Sequence, residues 1–208
     1  MNYLKINWIK FVVYNFFFKK SIIRKKKCFI IPYFKSSIKI SKDSKLYVNA
    51  NFHIGQNNML TKRNKTIIEL KNSAAMNVNG YVSMNRGGII SVNNGHLSLG
   101  SGSIGCDSFI NCVNSITIGN NFLISRDVII RDDDGHIIIR QNYQRTKPIV
   151  IGNNVWLCER VTILKGSTVG DNVVVGFGTI VKGKVESNNI ICMKNELVQH
   201  PIDGWKYK

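Results

Sequence analysis

The chain has 208 residues, 44% of them hydrophobic and 20% charged, which is enough apolar material for one sizeable core. Its 29 Lys and Arg against 12 Asp and Glu give a net charge of +17, yet residues 1–45 hold twelve of those basic residues and a single acid, Asp43. Basicity confined to one end argues against a protein built throughout to wrap nucleic acid. Five cysteines without a CxxC pair argue against a disulfide framework or a zinc knuckle and fit a reducing, cytoplasmic compartment.

Residues 1–37 read as a basic, aromatic-rich segment, helical through the run Phe11–Phe18, which only Asn15 interrupts. Spanning a bilayer takes roughly 20 apolar residues, so the run is too short to cross. No small-x-small cleavage site follows it; Arg24–Lys27 follow instead. Two readings stay open. The segment lies on an anionic membrane surface, peripheral at its inner face, or it packs as a helix against the fold or an oligomer neighbour. Its Phe, Trp and Tyr among Lys would also stack bases, but no nucleic-acid reader motif accompanies them, and none is expected as a partner.

From residue 38 the organising signal is a period of six. Ile118, Ile124 and Ile130, then Ile151, Leu157, Ile163, Val169, Val175 and Val181, are all aliphatic, and a small residue often follows: Gly119, Ser125, Gly152, Cys158, Gly170, Gly176. Upstream, Ile54, Val78, Val82, Ile90, Leu99, Ile104 and Ile110 repeat the pattern with looser spacing. Six fits neither a helix nor a strand. It fits a short strand and a tight turn, three to a coil of about 18 residues, in an all-β parallel solenoid over 38–185. The chain's 25 asparagines suit so many turns, because Asn tolerates turn conformations.

The period breaks once. Between Ile130 and Ile151 lie 21 positions where six are expected, so some 15 extra residues leave the coil as an inserted loop over 131–149. Loops of this kind often carry function. His136 follows Gly135 at its start, and an imidazole can take a proton from a hydroxyl near neutral pH. A generic loop histidine is the alternative. Among Asp132, Asp133 and Asp134, one orients His136, or all three form a solvated acidic turn. A calcium loop would want a Glu where Tyr143 stands. Cys158 has no adjoining histidine to activate it as a nucleophile. His53, His96, His136 and His200 share no ligand motif, so no metal is expected. Residues 186–208 read as a C-terminal tail.

The stretch Ile151-Gly-Asn-Asn-Val-Trp-Leu-Cys, Ile163-Leu-Lys-Gly, Val169-Gly-Asp-Asn and Val175-Gly-Phe-Gly-Thr-Ile-Val-Lys resembles the hexapeptide-repeat acyltransferases. The Asp-Asp-Gly-His interruption is most similar to O-acetyltransferases of capsular and other surface polysaccharides. The resemblance implies a left-handed parallel β-helix, assembled as a homotrimer, that moves an acetyl group from acetyl-CoA directly to a sugar hydroxyl with His136 as general base. It implies that Asn111 and Trp156 hold the carbohydrate acceptor; Asp134 is counted with them only because it lies two residues from His136. It also places coenzyme A along Cys158, Glu159, Gly176, Phe177 and Lys182, the 18-residue step stacking Cys158 on Gly176 and Glu159 on Phe177. Two departures stand out: Cys158 replaces a usual Gly, and Cys192-Met-Lys-Asn replaces the usual small-residue tail. N-acetylation of an amino sugar or small amine, and a non-catalytic solenoid scaffold, are the competing readings.

Overall fold

One inward aliphatic residue every six positions makes the backbone bend after each short strand. In the computed structural model, which describes residues 6–56, 65–137, 139 and 141–193, these strands stack into three parallel sheets. Face one runs in eight strands from Ile22–Arg24 to Lys184–Val185, and face two in eight from Ile30–Pro32 to Ile190–Ile191. Face three has seven, from Ser36–Ile40 to Ile180–Val181. The chain visits the faces in that order and returns, so each strand pairs with the coil before and the coil after. This is a parallel β-helix.

All nine residues of the clean period point inward, none more than 4% exposed, in one continuous core with Ile54, Val78, Val82, Ile90, Leu99, Ile104 and Ile110. The small residues after them sit where successive corners nearly touch. A Cβ on Gly119 would lie 2.6 Å from the Gly152 carbonyl oxygen. The asparagines serve the corners too: Asn121, Asn154, Asn172 and Asn188 all have φ between 55° and 61°, a left-handed conformation Asn tolerates. Their side-chain amides form a ladder, Asn121 donating to Asn154, Asn154 to Asn172 and Asn172 to Asn188, at 2.8 to 3.0 Å.

The coil extends beyond the period at both ends. Its ladders begin at Ile22 and end at Ile191, so they take in strands from both the basic segment and the tail assigned on the sequence. Register explains why: Ile22 pairs with Leu46 and Lys45 with Ala75, steps of 24 and 30 residues, whereas Val150 pairs with Thr168. Wider spacing between the early strands erases the six-residue rhythm without disturbing the stacking.

The basic segment does contain the expected helix, an α-helical turn Trp8–Val12 continuing as a π-helical turn Val13–Phe17. It packs on the first coil and blunts two open sheet edges. The buried Asn15 side chain accepts from the Ile30 N–H at 3.0 Å and donates to the Ile30 carbonyl at 2.8 Å, as a neighbouring strand would. The Tyr14 hydroxyl accepts from the Ile38 N–H. Arg24 ties the cap down by donating to the Asn15 carbonyl.

Candidate functional site

The inserted loop leaves face three after Ile129–Arg131 and re-enters face one at Ile149–Ile151. Its three consecutive aspartates have separate structural tasks. Asp132, fully buried, accepts the backbone N–H groups of Val113 and Asn114, both at 2.8 Å, and so roots the loop on the turn one coil behind. Burial, and then this carboxylate, push the neighbouring Cys112 thiol up, out of thiolate chemistry. Asp133, also buried, lies 3.5 Å from Arg131 and 3.3 Å from Arg145, and accepts the Gly135 N–H. It closes the neck of the loop, where it bridges Thr146 and where the Lys147 N–H meets the Asp132 carbonyl.

Asp134 reaches forward. Its carboxylate meets the Lys165 ammonium and the Tyr143 hydroxyl, each at 2.5 Å. Those donors, Lys165 first, hold the Asp134 carboxyl below its ordinary value, while Asp134 raises Lys165 in return. Tyr143 also donates to the His136 carbonyl at 3.2 Å. His136 thus stands exposed on a loop fastened on both sides, just after Gly135 at φ +81°. None of the three carboxylates meets its ring. Of the two readings open for these aspartates, an orienting contact to His136 is not seen, since Asp132 spends both oxygens on backbone N–H groups and Asp134 faces Lys165, and the turn is not simply solvated, since Asp132 and Asp133 are buried.

The remaining candidates form two groups and one outlier. Asn111 pairs with Arg131 on face three, and its carbonyl accepts the Asp132 N–H, so it stands at the root of the loop. Lys182 lies at the corner between faces three and one. There it lines, with Asp134, Tyr143, Lys147 and Lys165, a cavity of about 750 Å³ under the loop. Across face three, at the corner after face two, the 18-residue stacking brings Cys158 and Glu159 to Gly176 and Phe177. The Cys158 N–H donates to the Val175 carbonyl and the Gly178 N–H to the Glu159 carbonyl. Phe177 is 61% exposed with the Arg160 guanidinium 5.4 Å from its ring, and Glu159 lies 3.9 Å from Arg126. Burial raises the Cys158 thiol, which further weakens it as a nucleophile.

Trp156 is alone on face two, between Leu123 and Val174. It is 45% exposed, and its indole N–H donates to Ser125. Within one chain it belongs to a different face from the loop. Sequence reasoning missed Tyr143, Arg145 and Lys165, which hold the loop; the signal for them is charge complementarity to the three aspartates, legible only once the register across the insertion is known.

A family model for the bacterial transferase hexapeptide (six repeats) matches residues 148–183, the uninterrupted run beyond the loop. A galactoside O-acetyltransferase of Escherichia coli K12 is 41% identical over 78 residues, 36% of this chain and 38% of that protein. A polysialic acid O-acetyltransferase of Escherichia coli O1:K1 is 39% identical over 56 residues, 25% of this chain and 18% of that protein. The chain spans less than half the length of the curated relatives it matches. An N-acyltransferase from Bacillus cereus, solved with a dTDP-amino sugar and coenzyme A, shares the fold at a TM-score of 0.50 and 15% identity, over 83% of this chain and 78% of that one. Residues 148–183 thus match the bacterial transferase hexapeptide family model, and the repeats legible along the chain stack in three parallel sheets.

Proposed function

We propose that the protein transfers an acetyl group from acetyl-CoA to a sugar hydroxyl of a surface polysaccharide or its precursor. The observation that carries this reading is the fastened loop, which is rooted at Asn111 and holds His136 exposed at the edge of a hexapeptide coil. The O-acetyltransferase names of the relatives support the reaction class.

His136 takes the proton of the acceptor hydroxyl as its oxygen attacks the thioester carbonyl. The new C–O bond forms, the C–S bond breaks, and the proton passes from the imidazole to the departing thiolate. The Asn111 amide, able to donate and accept at once, holds a sugar hydroxyl near the base. Backbone N–H groups of the loop or coil meet the charge on the carbonyl oxygen.

The residues at the second corner fit a pantetheine arm. At Gly178, φ +67°, no atom lies within 4 Å of where a Cβ would stand, and Phe177 offers an exposed apolar ring. Cys158, Glu159 and Gly176 line the same corner. Lys182, with Lys147, supplies positive charge for a phosphate of coenzyme A. The two groups flank the strand Ile180–Val181, so a long cofactor lying across face three meets both. In a homotrimer, the loop of one copy would face Trp156 of its neighbour and complete the acceptor site with an aromatic wall.

Thiol release from acetyl-CoA, with and without de-O-acetylated polysaccharide, tests this. His136→Ala should lose about 10²- to 10⁴-fold in acceptor-dependent release while remaining folded. Equal release by both proteins would remove His136 from the mechanism. A product stable to mild alkali would indicate an amide and overturn O-acetylation.

A further inference from the structure

The capping helix buries Tyr14 and Asn15 but leaves its opposite side bare. Trp8 is 55% exposed, Ile9 79% and Phe17 76%, with Val12, Phe16 and Phe18 exposed beside them. Six large apolar side chains within residues 8–18 form a continuous feature, unlike the single exposed apolar residues normal on a surface. Among the described residues no helix is long and apolar enough to cross a membrane, so this patch is suited to lying on a surface.

The surrounding charge is mainly positive. Beside the helix is a cavity of about 240 Å³ lined by Lys10, Lys35, Ser36, Ser37, Lys39, Lys65 and Ile67, which among the described residues brings four ammonium groups and two hydroxyls and no carboxylate. Lys10 comes from the helix itself and donates to the Ser36 carbonyl, so cavity and patch are parts of one surface. Lys19, Lys20, Lys25, Lys26 and Lys27 are exposed around it. The two acids nearby have partners of their own: Asp43 accepts from Ser41 and from the Ser73 N–H and hydroxyl, and Glu69, in register with Lys39, lies 2.9 Å from Lys71.

Charge and apolarity together select the occupant. A second copy of this end would bring like charges face to face. A polyanion with no apolar phase would leave Trp8, Ile9 and Phe17 in water. We propose that this end of the coil docks on an anionic phospholipid bilayer, with the aromatic side chains in the interface and a lipid phosphate in the lysine cavity. The inference goes beyond the transfer reaction and is tested without it.

The full chain is sedimented with phosphatidylcholine vesicles containing or lacking phosphatidylglycerol, at low and high salt. Binding should require phosphatidylglycerol and weaken at high salt. Lys35→Gln/Lys39→Gln should weaken it roughly thirtyfold, since each lysine at such a surface is worth about a factor of five. Trp8→Ser/Phe17→Ser should weaken it by at least about tenfold, with unchanged circular dichroism in both variants. Equal binding to both kinds of vesicle, or full binding by either variant, overturns the proposal. So does a change in solution mass of Trp8→Ser/Phe17→Ser without vesicles, which would make the patch an interface between copies. Competition by inorganic phosphate at constant ionic strength, with the aromatic variant binding as wild type, would overturn it in favour of a free-phosphate site.

Discussion

Asp132 and Asp134 carry the same functional group two residues apart and do different work. Asp132 gives an oxygen to each of two backbone N–H groups, so Asp132→Asn turns one acceptor into a donor facing a donor. The expected cost is about 1–3 kcal/mol in urea unfolding. His53 shows burial acting on a base. It is buried, with the Tyr33 hydroxyl and the Gln56 amide each 3.3 Å from Nδ1, and burial lowers its pKa. The unfolded chain takes up this proton near pH 6.5 and the folded chain only at lower pH. The resulting stability is complete above about pH 6.5 and is lost as pH falls through the lowered folded value. A His53→Gln variant should flatten that part of a melting-temperature profile.

At the scale of elements, the loop is held by a lock and the corners by a ladder. Asp134→Asn weakens the bond to Lys165 and Tyr143, and a contact screened by solvent adds little to stability, so the melting temperature should barely move. Trypsin should nevertheless cut after Arg145 faster, as mass spectrometry would show, and the proposed acetyl transfer should fall with the loosened loop. Protonating Asp134 has the same effect only below the ordinary carboxylate range, because its donors hold the carboxyl down. In the ladder, Asn172→Ala loses its amide rungs and strains φ +56°, for roughly 2 kcal/mol. Asn172→Gly keeps the conformation and should lose only about half as much. Urea denaturation of the pair separates conformational from hydrogen-bond cost.

The molecule as a whole is a stack whose coils contact mainly their neighbours, so its open edges are its liability. Asn15 and Tyr14 close two edges of the first coil with side-chain hydrogen bonds. Asn15→Ala should expose the Ile30 edge and make the chain self-associate with concentration, measurable by light scattering. The two groups of candidate residues lie on opposite corners of face three, and Trp156 belongs to face two.

The period of six determined, without coordinates, which residues face inward from Ile118 to Val181 and where the chain leaves the coil. Both are local properties: each inward position is set by a strand and turn only six residues long. The early coils escaped because steps of 24 and 30 residues shift the phase, and only pairing across coils restores it. The loop's fastening escaped for a related reason. Asp132 meets Val113, and Asp134 meets Lys165, through contacts between coils whose register the insertion has displaced. Periodicity along the chain decides burial, but the partner of a polar side chain is decided by what the stacking brings beside it.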